Sequence, residues 1–313
     1  MDVFDGYRSV PRLPAPCVAI GNFDGVHRGH RALLDRAIAR ATEHGGTALA
    51  LTFDPHPTQV LAPHLAPPAL TSRARKLELM GDAGLAGTIV EPFTPALAAL
   101  PAERFVEEIL IAALQVRHVV VGWDFTYGQG RGGTTATLQA HGARAGFGVD
   151  VLDKITVDGE VASSTRIRGY LRGGDLAAAR RLLGRDYDLD GTVVQGAQRG
   201  RELGFPTANL VTDIAPPLGA GIYAGWLEGG ALGGRKPAAI SLGTNPTFET
   251  DGRLTLEAYV LDWSGDLYDQ RLRCTFAARL RDHVKFDGVD ALVERIHQDV
   301  ADTRTALGLP RTA

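Results

Sequence analysis

Only two cysteines, Cys17 and Cys274, occur in 313 residues, and both sit inside apolar runs that read as strands. A disulfide framework is therefore excluded, and a reducing, cytoplasmic setting is expected. An excess of one charge is also lacking, since 33 Lys and Arg against 36 Asp and Glu leave a formal net charge of −3. Without a basic excess or a cationic amphipathic stretch, neither nucleic acid nor a membrane surface is an expected partner. No apolar run approaches the roughly 20 residues that cross a bilayer, and the first fifteen residues lack a leader-like apolar core. The pattern Gly-x-x-x-x-Gly-Lys-Ser/Thr is absent, which excludes a Walker-type phosphate loop. Internal repeats and low-complexity tracts are missing as well. With 44% apolar residues the chain is long enough for two well-buried domains. These residues leave a homo-oligomer open.

What the chain does carry is a strand-to-helix junction, Cys17-Val-Ala-Ile-Gly-Asn-Phe-Asp-Gly-Val-His-Arg-Gly-His30. The apolar run 17–20 predicts a buried strand, and Gly21, Gly25 and Gly29 let the backbone turn tightly and approach a ligand. The amphipathic run 31–43 predicts the helix that follows. Amides at a helix start lack intrahelical partners and carry partial positive charge, which favours an anion there. His27 and His30, three residues apart, can add donors on the same side. A histidine pair that only caps a turn is the plainer alternative. The glycines, the strand and the helix converge instead on a polyphosphate site.

Strands at 17–20, 47–53, 87–90, 118–122 and 148–152 alternate with helices at 31–43, 73–83, 101–114 and 135–144. That alternation predicts a parallel α/β sheet covered on both faces, with ligands at the carboxyl ends of its strands. Residues 163–183 read as helical. Beyond 185 the pattern changes to short β-branched strands separated by glycine, at 193–194, 222–227, 238–242, 254–261 and 272–280. These predict a small antiparallel barrel closed by an amphipathic helix over 289–307, whose Leu292, Ile296 and Val300 share a face. The expected division is 1–184 and 185–313.

Other segments carry candidate chemistry beside plainer readings. Ser163-Ser164-Thr165 precedes a helical run at 166–171, where hydroxyls suit an N-cap and Arg166 and Arg168 suit an anion. Asp124, after a strand end, is either an exposed turn residue or a group that orients a Mg²⁺-bound phosphate or a nucleotide. Asp54 and His56 lie between prolines and read as a rigid turn, because no further His or Cys completes a metal site. Gly128-Gln-Gly-Arg-Gly-Gly133 fits Gly-x-Gly-x-x-Gly with Asp150 about twenty residues on, but six residues separate it from the strand, which excludes a Rossmann NAD site. It reads as a mobile loop. Thr207 and Asn209, two apart on an extended segment, present oxygens to one side, either as a turn with an Asn cap or as ligands for a hard cation shared with phosphate. In Leu254-Thr-Leu-Glu-Ala-Tyr-Val-Leu261, period two separates Leu254, Leu256, Ala258 and Val260 from Thr255, Glu257 and Tyr259. Glu257 then faces either water or a reaction.

The stretch Gly21-Asn-Phe-Asp-Gly-Val-His-Arg-Gly-His30 resembles the HxGH signature of the nucleotidyltransferase superfamily. In this longer form it is similar to the adenylyltransferase module of bacterial bifunctional riboflavin kinase/FAD synthetases. Leu51-Thr-Phe-Asp-Pro-His-Pro57, Val121-Gly-Trp-Asp-Phe-Thr-Tyr-Gly128 and Ser163-Ser-Thr-Arg-Ile-Arg168 fit the same module. Gly204-Phe-Pro-Thr-Ala-Asn209 and Gly243-Thr-Asn-Pro-Thr-Phe248 resemble the kinase module. The resemblance implies a nucleotidyltransferase-like, Rossmann-like first domain and a riboflavin kinase barrel with a C-terminal helix. It implies that His27 and His30 are catalytic in adenylyl transfer, that Gly21, Phe23, Asp24 and Gly29 bind the ATP phosphates, and that Ser163, Ser164, Thr165, Arg166 and Arg168 close over them. Asp124 would meet the flavin nucleotide. In the second domain Thr207 and Asn209 would bind Mg²⁺·ATP, Gly200 and Gly204 would shape the nucleotide pocket, and Glu257 would be the base. The implied activity is phosphorylation of riboflavin to FMN and adenylylation of FMN to FAD, both from ATP. Two competing readings, a single-activity adenylyltransferase and a non-catalytic flavin-binding protein, would not need all of these residues.

Overall fold

The computed structural model describes residues 1–196, 200, 203–244 and 254–310. Contacts divide the chain into two compact units, residues 1–67 with 73–163, and residues 68–72 with 164–313.

The first unit is built on six parallel strands in the order Asp2–Asp5, Gly87–Pro92, Ala48–Asp54, Cys17–Ile20, His118–Gly122, Gly148–Leu152. Successive residues of a strand point to opposite faces. On one face Val18, Ile20, Leu49, Leu51, Val119 and Val121 pack with Phe105, Val106, Ile109 and Leu110. On the other, Cys17, Ala19, Ala48, Ala50 and Val120 pack with Leu33, Leu34, Ala37 and Ala41 from the helix Arg28–His44. Both faces are dry, which is why Cys17–Ile20 reads as an unbroken apolar run. From that strand the chain winds outward to one side, then returns to place His118–Gly122 on the other. Strand order thus reverses between Cys17–Ile20 and His118–Gly122, and the crevice at their carboxyl ends is where such sheets bind ligands.

Several sequence expectations are corrected in detail. The first helix starts at Arg28 rather than 31. The helix expected over 101–114 is α-helical only at Ala102–Arg104 and continues as a π-helix, Phe105–Ala113. The edge strand Asp2–Asp5 was not anticipated. Within the glycine-rich run 128–133 lies a 3₁₀ turn at Gln129–Arg131, with Gln129 N donating to Leu100 O at 2.8 Å. Asp150, the acidic residue of the rejected dinucleotide fingerprint, is gripped by Arg40 at 2.7 and 3.0 Å, a structural pairing.

The second unit closes Tyr187–Val194, Thr207–Thr212, Leu254–Val260, Lys236–Thr244, Gly221–Glu228 and Arg271–Arg281 into an antiparallel barrel. Thr207–Thr212, read from sequence only as an extended segment, is its second strand. The helical region 163–183 is two helices, Ser164–Gly173 and Leu176–Leu183, broken at Gly174, with Asp175 capping the second through Ala178 N at 2.9 Å. The closing helix is Val289–Ala306. Leu292, Ile296 and Val300 are half-buried along it, while Asp299, Thr303 and Arg304 are buried. Arg281 grips Asp299 at 2.7 and 2.5 Å and Arg304 grips Asp262 at 2.5 and 2.6 Å. Charge-assisted pairs therefore supplement a modest apolar stripe.

Candidate active sites

The junction of the first unit lies at the point where strand order reverses. After Ile20 the backbone takes positive φ at Phe23 (+50°), Gly25 (+85°) and Val26 (+39°). For Phe and Val this is a strained conformation, of the kind that clusters at ligand sites. The strain coils the loop so that His27 becomes the N-cap of the helix Arg28–His44, its Nδ1 accepting from His30 N at 3.3 Å. Capping fixes the tautomer: Nδ1 accepts, so in the neutral ring Nε2 carries the proton. The two imidazoles stack, centroids 3.6 Å apart and 18° from parallel, and Phe23 meets His30 edge-on at 5.4 Å. Gly29 makes room for this stack, since a Cβ there would lie 3.0 Å from the His27 ring and 3.2 Å from the Ala162 carbonyl.

Capping and ligand binding are thus compatible roles for this pair. His30 Nδ1 is buried and has no hydrogen-bond partner among the described residues. Buried polar atoms are normally satisfied, so this orphan, in a strained loop at a helix start, leaves a hydrogen-bonding position of His30 available. Burial first, then the neighbouring His27 and Lys76, hold the His30 pKa well below the ordinary histidine value. At neutral pH the ring is an uncharged hydrogen-bonding group.

Around the junction, Asp24 is buried and Asp124 is exposed in the turn after His118–Gly122, where Phe125 N donates to Gly122 O at 3.1 Å. His56 caps the short helix Pro57–Leu61 in a capping box with Gln59, which gives the rigid turn expected there. Among the described residues no three His, Cys, Asp or Glu side chains form a group able to hold a metal. The sequence reading missed Lys76, a buried cation whose Nζ reaches Thr52 Oγ1 at 3.2 Å and Asn22 O at 3.4 Å. It belongs to no motif, and its only signal was a lysine in an otherwise arginine-bearing segment.

Ser163 precedes the helix Ser164–Gly173. Ser164 and Thr165 therefore lie in the first turn rather than ahead of it. Thr165 and Arg166 are exposed, whereas Arg168 is buried and its Nε donates to Pro68 O at 2.7 Å. Arg168 and Tyr187, whose hydroxyl donates to Leu70 O at 3.0 Å, hold residues 68–72 in the second unit.

In the barrel, register does what periodicity alone could not. Asn209 pairs with Glu257, and Glu257 pairs with Ser241 on its other side; Thr207 pairs with Tyr259. Directly opposed residues on one face have Cβ atoms about 4.5–5.5 Å apart. Thr207, Asn209, Glu257, Tyr259 and Ser241 therefore share one half-buried face, while Ala208, Leu210, Leu256 and Ala258 turn into the core. Tyr259 shares the Glu257 face as period two predicts, whereas Ser241 was not singled out from sequence, because only the pairing register reveals it. Gly196, Gly200 and Phe205 border this face. A Cβ at Gly196 would lie 2.3 Å from the Asn209 amide, and one at Gly200 would lie 2.4 Å from Phe205 O and 3.5 Å from Thr207 Oγ1. Phe205 packs edge-on to Tyr259 at 5.3 Å, and Gly204 turns the chain with φ +85°. Residues 245–248 of the second kinase-like block, and residues 197–199 and 201–202 ahead of the first, lie outside the described residues.

Residues 11–166 match the FAD synthetase family and residues 183–307 match the riboflavin kinase family. Among similar proteins, a bifunctional riboflavin kinase/FMN adenylyltransferase of Pseudomonas fluorescens is 39% identical over 297 residues, 94% of each chain. One of the same name from Escherichia coli strain K12 is 34% identical over 318 residues, covering all of both chains. A crystal structure named as a macrolide-efflux protein from Streptococcus pneumoniae superposes with a TM-score of 0.84 at 28% identity, over 96% of this chain and 98% of that one. Among the described residues no helix is long and apolar enough to cross a membrane.

Proposed function

This chain belongs to the bifunctional riboflavin kinase/FMN adenylyltransferase family, and on that premise we propose how its residues divide the two reactions. The enzyme phosphorylates riboflavin with ATP to FMN, and adenylylates FMN to FAD with release of pyrophosphate. Phosphorylation belongs to the barrel. Glu257 accepts the proton of the terminal ribityl hydroxyl as that oxygen attacks the γ-phosphorus of ATP and ADP leaves with the bridging oxygen, a step governed by positioning and charge neutralisation. The observation that carries this assignment is the register, which sets the carboxylate directly opposite Asn209 and diagonal to Thr207.

Thr207 and Asn209 would hold Mg²⁺. They offer two hard oxygens on one face, with Gly196 leaving room for the Asn209 side chain. Two protein oxygens suit an ion that keeps several waters and binds largely through substrate phosphates. Bound there, Mg²⁺ would neutralise phosphate charge. Gly200 and Gly204 shape the border of the same pocket.

Adenylyl transfer belongs to the junction. The FMN phosphate is already an anionic nucleophile, so no strong base is required. His27, His30 and the first amides of the helix Arg28–His44 stabilise charge developing at the α-phosphate as pyrophosphate leaves. Gly21, Phe23, Asp24 and Gly29 hold that loop in shape. Asp124, at the reversal of strand order, would orient the flavin nucleotide. The Ser163–Arg168 block, with Ser163, Ser164, Thr165, Arg166 and Arg168, is proposed to meet ATP phosphates. Buried, free Cys17 and Cys274 fit the proposal of a cytoplasmic enzyme.

Incubating the purified chain with riboflavin, ATP and Mg²⁺ and separating the flavins by chromatography tests the assignment; FMN should appear first and FAD after it. Gly29→Ala should lower FMN adenylylation by roughly tenfold or more, because the added Cβ displaces the His27 ring, with riboflavin phosphorylation unaffected. Equal loss of both activities would count against separate sites.

Autonomy offers another check. Leu176, Ala178, Ala179, Leu182 and Leu183 are buried, and their helix packs on the strands Tyr187–Val194 and Arg271–Arg281. A fragment of residues 164–313 is expected to fold and phosphorylate riboflavin. One of residues 185–313 should do so with lower stability, since each buried leucine contributes about 1.5–3 kcal/mol. Urea unfolding of the two fragments measures the difference, and equal midpoints would show that the helix adds nothing.

A further inference from the structure

Lysine is scarce in this chain, four residues against 29 arginines, and one of the four is buried against the phosphate loop. Lys76, on the helix Arg73–Asp82, is 9% exposed. Its Nζ donates to Thr52 Oγ1 at 3.2 Å and to Asn22 O at 3.4 Å. Thr52 Oγ1 donates to the same carbonyl at 3.1 Å. An ammonium and a hydroxyl thus converge on one backbone oxygen, two residues beyond the end of Cys17–Ile20. Asn22 is where the strained turn begins, and the turn ends at His27 and His30.

Removing an ammonium from water is costly unless charge partners offset it. Both hydrogen-bond partners described above are neutral oxygens. The charged groups that bear on Lys76 are Asp54 and Asp24, which favour the ammonium, and Arg73, which opposes it; burial outweighs them and lowers the lysine pKa. A compact ammonium fits between two oxygens where a guanidinium, with five donors in a fixed fork, would leave several unsatisfied. The same ammonium acts on His30, which otherwise faces the His27 ring and its own burial.

We infer that Lys76 is a positioning residue for adenylyl transfer: it ties the Asn22 carbonyl to the Ala48–Asp54 strand, seating the turn that presents His27 and His30, and it stands as a fixed positive charge beside His30. This rests on the junction being the adenylyl-transfer site. Lys76 acts through the loop and through the His30 proton rather than by touching the reacting atoms.

Full-length Lys76→Met, which keeps the stem and removes the charge, tests it by two readouts. FMN adenylylation should fall roughly tenfold or more, the scale of a misplaced catalytic loop, while riboflavin phosphorylation by the same chain stays within about twofold of wild type. The His30 imidazole signal, identified in NMR spectra by its loss in His30→Ala, should titrate closer to the ordinary value of about 6.5, because a neighbouring cation has gone. A folded Lys76→Met with unchanged adenylylation, or with unmoved His30 titration, would overturn the inference. Should Lys76→Met not fold, Thr52→Val decides: it removes the bridging hydroxyl, and adenylylation should drop severalfold with riboflavin phosphorylation unchanged, whereas a wild-type rate overturns the proposal. If His30→Ala itself leaves adenylylation intact, the site assignment has failed. If His30→Ala is inactive and Lys76→Met is normal, only the role of Lys76 has failed.

Discussion

Glu257→Gln should lower FMN formation from riboflavin by roughly 10²- to 10⁴-fold, the range for loss of a general base. Glutamine keeps the size of the side chain and its place opposite Asn209 and Ser241, but cannot accept the ribityl proton. Supplied FMN should bypass the defect, so conversion of FMN to FAD stays close to wild type. Initial rates with each substrate, followed by chromatography, give the comparison. A normal rate of riboflavin phosphorylation would make Glu257 a strand residue with no part in catalysis, and the base would have to lie elsewhere in the barrel.

His30→Ala should do the reverse. Riboflavin phosphorylation should remain near wild type, and FMN adenylylation should fall by about 10²-fold or more, the usual loss for one preorganised donor at a site of developing charge. The ring removed is the one stacked on His27 at 3.6 Å, whose Nδ1 has no partner among the described residues. His27 would still cap the helix, since the His30 amide remains, so the loss is chemical rather than structural. Steady-state kinetics on FMN, with thermal melting as a control, measures it, and a folded variant with full adenylylation would refute the assignment.

How much of this was legible in the sequence depended on whether a residue's neighbours were local. Cys17–Ile20 and His118–Gly122 were read to the residue because the apolar runs Cys17–Ile20 and Val119–Val121 are buried on both faces. The edge strand Asp2–Asp5 was not, because it is four residues long, mostly exposed, and exists only through pairing with Gly87–Val90, more than eighty residues away. The helix start at Arg28 was hidden by Gly29, which suggests loop in any propensity reading and is there to clear the His27 ring. Phe105–Ala113 is apolar and helical in pattern, but its π-helical bonding follows no 3.6-residue period. At the candidate sites, the motif residues are neighbours in sequence and the residues that pack against them are not. Ser241 joins Glu257 only through barrel register, and Lys76 meets Asn22 and Thr52 only through the packing of a helix on the sheet.

The central claim is that two reactions occur at two independent sites in one chain, and mixing the two variants tests it most directly. Full-length Glu257→Gln and His30→Ala, each alone with riboflavin, ATP and Mg²⁺, should make little FAD, the first for want of FMN and the second for want of adenylylation. Together they should restore FAD at a rate that rises with the concentration of both, as FMN released by one is used by the other. Two folded variants that individually retain the complementary activity, yet yield no FAD when mixed, would contradict the account.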